Sequence, residues 1–484
     1  MTRYGAVHIT TLGCDKNLVD SEALLGRFAA RGIRAVDDPD EADVLVLNTC
    51  GFIEAARLDS FEAIADLCAT KGGRTLVVTG CLSQELGDLV AERFPEVDIV
   101  GGVGNFDQLL DALAGRADRV PIGRPEAARY EGLAERPLLT PPHLAFVKIS
   151  EGCNFRCAFC RIPMIRGDQR SRPVAEIAGE ATNLAGRGVS EIMLVSQNSS
   201  DYGRGTGEDL LDLVVALGGI AGLRRIRLHY LYPGLISPRR FRRILDVPGV
   251  VPYVDMPIQH ASPRILKRMN RPFDVAALER FFADLRAERP DVVLRTTILL
   301  GFPGEEEEDV TRTADFLARI RFDHVGTYRY SPEAGTAGAE LTDAPDPEEV
   351  ADREARLLDL QHDIAQERQN ARLGRAEEVV IDEIADSDAW RDLAEDLEAA
   401  VAAGNGDGTE PIVPPGCLLT GGAVAVARGA AQAYDTDGVI LMPASGLTAG
   451  QWLEARTVAA TPYDSLALPV GTGGRTDGRP ERNP

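Results

Sequence analysis

Cys153, Cys157 and Cys160 are spaced C-x3-C-x2-C within KISEGCNFRCAFCRIP. Thiolates are soft ligands suited to iron–sulfur clusters. Three of them hold three irons of a 4Fe-4S cube and leave the fourth open, which a cluster needs if it is to bind and reduce a substrate. A zinc site would want a fourth ligand at similar spacing, and no nearby His or Cys supplies it. So tight a spacing on a Gly/Asn loop also argues against three merely structural thiols. Cys14, Cys50 and Cys81 form a second, dispersed set. Each falls one to three residues after an apolar run, in HITTLGC, VLVLNTC and LVVTGC. Taken singly, each is more often a small buried hydrophobe. Strand C-termini of a parallel sheet share one edge, so three strands would bring three thiolates together for a second cluster. Gly13 and Gly80 precede two of them and allow close backbone approach. Cys68 follows Phe61, Ile64 and Ala65 at helical spacing, and Cys417 stands alone in PPGCLL. Both are read as structural.

The elements that must position these thiols follow from the hydrophobic pattern. The fold class expected is α/β with three parts. Residues 1–120 alternate strand-like runs (Val7–Leu12, Val44–Leu47, Leu76–Thr79, Val97–Val100) with helical periodicity, which implies a parallel-sheet domain. Residues 121–142 are Pro-, Arg- and Glu-rich without period and read as a linker. Residues 143–375 hold six further β/α units and a charged exit helix, fitting a complete or partial (β/α) barrel. The first cysteine loop then sits at the end of the first barrel strand, where such folds place their chemistry. Residues 376–470 carry strand signals separated by Gly, Pro and Asp turns, and read as a small antiparallel β-barrel. The acidic, Ala- and Gly-rich stretch 386–415 reads as a surface insertion. Residues 471–484 read as a disordered tail.

Composition narrows the class. The chain has 484 residues, 52 basic and 75 acidic, for a net charge of −23. A hydrophobic content of 44% excludes wholesale disorder. The negative balance argues against a general nucleic-acid or anionic-membrane binder. Eight cysteines are too few for a disulfide scaffold. No apolar run approaches the roughly 20 residues that span a bilayer. The start MTRYGAVHITTLG lacks the pattern of a secretory signal, so a cytoplasmic setting is expected. In GFPGEEEEDV (301–310), Gly301 and Gly304 read equally well as a backbone platform for a nucleotide-like ligand and as part of a capped helix start. GGVGNF (101–106) reads as a plain strand-to-helix turn.

The C-x3-C-x2-C loop on a (β/α) barrel resembles the radical S-adenosylmethionine superfamily. With Cys14, Cys50 and Cys81 on a preceding α/β domain and a terminal β-barrel, the chain resembles the methylthiotransferases, whose last module is a TRAM domain. TTLGCDKNLVDSE, EGCNFRCAFCRIPMIRGDQRSRP, YVDMPIQHAS and RTTILLGFPGE resemble the branch that modifies an aspartate of the small-subunit ribosomal protein at the decoding centre. The resemblance implies two 4Fe-4S clusters and S-adenosylmethionine as cofactors. It implies a 5′-deoxyadenosyl radical that takes hydrogen from the aspartate β-carbon, and a second cluster that presents methylated sulfur. Gln197 and Asn198 end the second barrel strand, where the superfamily contacts its cosubstrate. Arg295, Gly301, Gly304 and Phe159 are further cosubstrate candidates. A reductant and a sulfur donor are implied as partners.

Charge bears on the substrate independently. Residues 376–470 contain three Arg, no Lys and sixteen Asp plus Glu, a net charge of −13. Such a module would repel phosphate and attract a basic ribosomal protein, which disfavours tRNA. The alternatives are a tRNA adenosine methylthiotransferase with the same chemistry, a non-catalytic iron–sulfur protein held at the ribosome by its acidic module, and, more distantly, a zinc-bound assembly factor.

Overall fold

The computed structural model describes residues 4–116, 120, 122–123, 133–404, 418 and 422–470. Cys417 and the tail 471–484 lie outside them. The chain divides into two compact units. One comprises residues 1–320 with 325–358, the other 321–324 with the chain from 359.

The first unit begins with a five-stranded sheet, β1 (Ala6–Thr11), β2 (Arg34–Ala35), β3 (Val44–Thr49), β4 (Thr75–Gly80) and β5 (Ile99–Val100), in the order β2-β1-β3-β4-β5. Its four strand pairings are all parallel. β3 reads VLVLNT and is buried throughout, as a central strand covered on both faces must be. Helices α1 (Asp15–Ala30), α2 (Glu54–Thr70) and α3 (Cys81–Arg93) make crossovers, and α4 (Phe106–Leu113) follows the last strand. β2 has only two residues, both exposed, so no apolar signal announces it. Cys68 packs against the core formed by Leu45, Leu47, Leu76 and Val78.

The barrel strands are β6 (Leu144–Lys148), β9 (Glu191–Val195) and β10 (Arg225–Leu228) in one sheet, and β11 (Tyr253–Asp255), β12 (Val293–Leu300) and β13 (His324–Arg329) in another. The Leu231 N–H donates to the Asp255 carbonyl at 2.9 Å and so joins the β10 edge to β11. Among the described residues no ladder returns from β13 to β6, so the barrel is partial. Between β6 and β9 lies a two-rung antiparallel ladder, β7 (Ser150–Glu151) with β8 (Arg170–Ser171). It closes the neck of the loop 152–169, which also contains the short helix α5 (Ile162–Arg166). The remaining helices of this part are α6 (Val174–Gly186), α7 (Leu210–Gly218), α8 (Pro238–Leu245), α9 (Pro263–Arg268), α10 (Val275–Glu288) and α11 (Glu307–Ile320). The exit helix α12 (Pro347–Asn370) runs from the first unit into the second.

The end of the segment read as a linker is built into this unit. Arg136 is fully buried and donates to Glu22 of α1 at 2.8 Å, to Glu180 of α6, and to the Phe146 carbonyl of β6 at 2.6 Å.

The second unit is a closed barrel of β14 (Ala376–Asp386), β15 (Ala423–Arg428), β16 (Ile440–Pro443), β17 (Trp452–Ala460) and β18 (Ser465–Pro469). Inward residues Val379, Ile381, Ala425, Ile440, Met442 and Ala467 form its core. The barrel is not wholly antiparallel, because β16 and β18 run parallel. Five strands closed in a ring cannot all alternate in direction, so at least one pair must be parallel. The acidic stretch after β14 is not simply a surface insertion. It contains α13 (Arg391–Gly404), whose Ala394 and Leu397 are buried with Val424, Leu441 and Leu466. Its apolar residues recur at helical spacing beneath an acidic face. No helix among the described residues is long and apolar enough to cross a membrane.

Candidate active site

Three adjacent parallel strands deliver the dispersed cysteines. Cys14 is the N-cap of α1 after β1, Cys50 directly follows β3, and Cys81 opens α3 directly after β4. The turns pack so closely that glycine is required twice. A Cβ on Gly13 would lie 2.9 Å from Cys50 Cβ and 3.0 Å from its Sγ. Gly80 has φ 104°, and a Cβ there would overlap Asn48 Oδ1 and the Thr49 carbonyl oxygen. Asn17 stitches the same edge together, its amide donating to the carbonyls of Leu12 at 2.8 Å and Thr49 at 3.0 Å.

The other three cysteines occupy the loop closed by β7 and β8. Cys153 N–H donates to the Gly167 carbonyl, and Cys160 N–H to that of Cys157, both at 3.0 Å. Arg271 donates to Cys157 Sγ at 3.7 Å and lies 4.0 Å from the Tyr232 ring centroid. Tyr232 in turn stacks on Phe155 at 4.2 Å. Burial pushes the Cys160 thiol up to about 12, helped by the neighbouring Cys157. Burial likewise pushes Cys81 up to about 12, against the lowering pull of Arg166. Thiols in such apolar surroundings bind metal only by giving up the proton, and a metal ion supplies the missing positive charge.

The two sets belong to one buried network inside the first unit. Arg166, at the end of α5, donates to Cys81 Sγ at 3.1 Å, to Asn17 Oδ1 at 2.5 Å and to Asp20 of α1 at 2.7 Å. Lys148 donates to Asp20 at 2.5 Å and to Glu151 at 2.8 Å. Tyr230, just past β10, has φ 60° and donates from its hydroxyl to Asp15 at 3.1 Å. Lys16 lies 3.3 Å from the centroid of that ring. The barrel mouth and the cysteine-bearing sheet edge therefore face each other. Sequence reasoning did not single out Arg166, Lys148, Asp20, Glu151 or Tyr230.

The cosubstrate candidates have different surroundings. Gln197 ties down the cysteine loop, accepting from Gly152 N–H at 2.9 Å and donating to Glu151 at 2.5 Å. Asn198 is 2% exposed, and neither polar atom of its amide has a hydrogen-bond partner. His229 Nε2, on the next strand end, is also buried without one. Buried polar groups are normally paired with protein, ordered water or a ligand, so these atoms have hydrogen-bonding capacity that the surrounding protein leaves open. Arg295 pairs with Asp255 at 2.9 Å. Burial would raise the Asp255 carboxyl, but His229, Arg295 and the Tyr230 N–H hold it well below the usual range. Phe159 is half-buried against Ile265, Met269 and Phe302 in the barrel wall. Gly301 and Gly304 spend their N–H groups within the chain, on Glu305 at 3.1 Å and on the Asp343 carbonyl at 2.7 Å.

The donor chemistry fits two iron–sulfur clusters, each with three thiolates. Among the described residues no three His, Cys, Asp or Glu side chains converge as ligands of a single ion do. The cysteines of an iron–sulfur cube each take a different iron and need not converge.

Comparison with known proteins follows this geometry. Residues 147–317 match the family model described as the Radical SAM superfamily, and residues 6–102 that described as Uncharacterized protein family UPF0004. A radical S-adenosylmethionine methyltransferase, TsrM from Kitasatospora setae, solved with cobalamin and a 4Fe-4S cluster, shares the fold. Its TM-score is 0.53 and its identity 16%, over 70% of this chain and 77% of that one. Fold and cysteine loop together define a radical S-adenosylmethionine enzyme. The ribosomal protein uS12 methylthiotransferase RimO of Synechococcus sp. (strain CC9605) is 41% identical over 382 residues, 77% of this chain and 82% of the relative. That of Desulfosudis oleivorans is 39% identical over 388 residues, 78% of this chain and 88% of the relative. The chain belongs to this family of ribosomal protein uS12 methylthiotransferases.

Proposed function

We propose that the chain transfers a methylthio group to the β-carbon of an aspartate in ribosomal protein uS12, in the cytoplasm. The observation that carries the reading is the meeting of two cysteine trios, one on the barrel mouth and one on the sheet edge, through Arg166 and Cys81. Cys153, Cys157 and Cys160 would hold one 4Fe-4S cluster, and Cys14, Cys50 and Cys81 the other. When bound, the first supplies the electron that cleaves S-adenosylmethionine to a radical able to attack an unactivated C–H bond, and the second a site for sulfur. The unsatisfied amide of Asn198, with Gln197 beside the loop, would orient the cosubstrate. Arg295, within β12, and Phe159, in the cysteine loop, would be further contacts. The apolar wall around Phe159 and Phe302 would keep water from the reactive carbon.

The second unit is read as a TRAM-like module that docks the substrate. Glu378, Glu383, Asp392, Glu395 and Asp396 are exposed on it. These carboxylates would recruit a Lys- and Arg-rich protein and repel RNA. Its affinity for uS12 is expected to fall as salt rises, and Glu395→Lys with Asp396→Lys to weaken binding several-fold at low salt. Fluorescence anisotropy with labelled uS12 measures both. Tight, salt-sensitive binding of tRNA in place of uS12 would favour the tRNA-modifying alternative.

A further inference from the structure

We propose that Arg166 is a positioning residue that raises the reduction potential of the cluster on Cys14, Cys50 and Cys81 and fixes that cluster's register with the one on the barrel loop. The inference rests on the two-cluster reading above and adds a role for a residue outside both ligand sets. Arg166 has a side chain 2% exposed, yet its charge is not the only one available to its partners. Asp20 also accepts from Lys148 at 2.5 Å, and Glu151 accepts from both Lys148 and Gln197. What Lys148 does not provide is the second arm of the guanidinium. That arm, Nη2, donates to Cys81 Sγ and to Asn17 Oδ1, the residue that laces the β1 and β3 turns.

A charged N–H donor on a ligating sulfur stabilises the more negative, reduced form of a cluster and so raises its potential. The effect is strongest where water is excluded, and Cys81 is the most buried of its trio. Placement is equally direct. Arg166 follows Cys160 by six residues, and α5 fills the interval with Pro163 in its first turn. Ile165 packs beside Cys81 and Val103. One short helical segment thus begins at a ligand of the first cluster and ends on a ligand of the second.

The test uses the reconstituted full chain carrying Cys153→Ala, Cys157→Ala and Cys160→Ala, so that only the N-terminal cluster is read. Arg166→Lys keeps the positive charge among Asp20 and Glu151 but cannot span Cys81 and Asn17 together. In an anaerobic redox titration followed by electron paramagnetic resonance, its midpoint is expected to shift to lower potential with iron content unchanged. Arg166→Gln, which retains an N–H donor without the charge, serves as the second variant if Arg166→Lys does not fold, and is expected to shift the same way. An unchanged midpoint in the variants that fold with full iron would overturn the proposal. A triple-alanine background that holds no iron would overturn the two-cluster reading, and the role of Arg166 with it.

Discussion

A Cys157→Ala enzyme is expected to retain about four of about eight irons per chain and to cleave no S-adenosylmethionine. Cys157 is a buried member of the barrel trio, and its loop is pinned at the neck by the β7–β8 ladder and by Gln197. Removing one sulfur should therefore cost the cluster rather than the fold. The remaining irons would stay on Cys14, Cys50 and Cys81, which stand on other strands. The complementary variant, Cys81→Ala, should lose the other half of the iron yet still cleave S-adenosylmethionine without transferring sulfur. Iron analysis and chromatographic detection of 5′-deoxyadenosine check both. A wild type with four irons, or a Cys157→Ala variant that retains cleavage, would contradict the assignment.

Arg136→Ala is expected to destabilise the first unit by about 3–5 kcal/mol, the usual cost of stranding a buried charge partner. Its guanidinium joins the α1 carboxylate of Glu22, the α6 carboxylate of Glu180 and the Phe146 carbonyl, all away from water. Burial already pushes Glu22 upward, and Arg136 is among the groups that oppose it. The loss reads as a lower urea midpoint, with Arg136→Lys falling between the variant and the wild type. An unchanged midpoint for Arg136→Ala would show that this network does not join the cysteine-bearing sheet to the barrel.

The parts of this protein that sequence makes visible are those where one periodicity dominates. VLVLNT and TLVVTG have continuous apolar centres, VLVL and LVV, so strands β3 and β4 and the cysteines at their ends follow directly. The parallel-sheet rule then brings Cys14, Cys50 and Cys81 to one edge. Strand β18, SLALP, has only five residues and ends in a proline, so its closure of the terminal barrel has little local signal. Helix α13 hides because its composition reads acidic before its spacing reads helical. The buried cations are harder still, since a charged residue is exposed by default. A signal was nonetheless present. Only four of the 52 basic residues are lysine, and two of them, Lys16 and Lys148, are buried at the site. Lys148 also ends an otherwise apolar strand, where a charge demands a partner. Gly301 and Gly304 illustrate the opposite case, since their N–H groups are taken up within the chain.

The most direct test is mass analysis of ribosomal protein uS12 after anaerobic incubation with the reconstituted enzyme, S-adenosylmethionine, a sulfur source and a reductant. The account predicts that one methylthio group replaces one hydrogen, located by fragmentation on the β-carbon of an aspartate. Unmodified uS12 alongside full cleavage of S-adenosylmethionine, or a methylthio group found on tRNA adenosine instead, would contradict it.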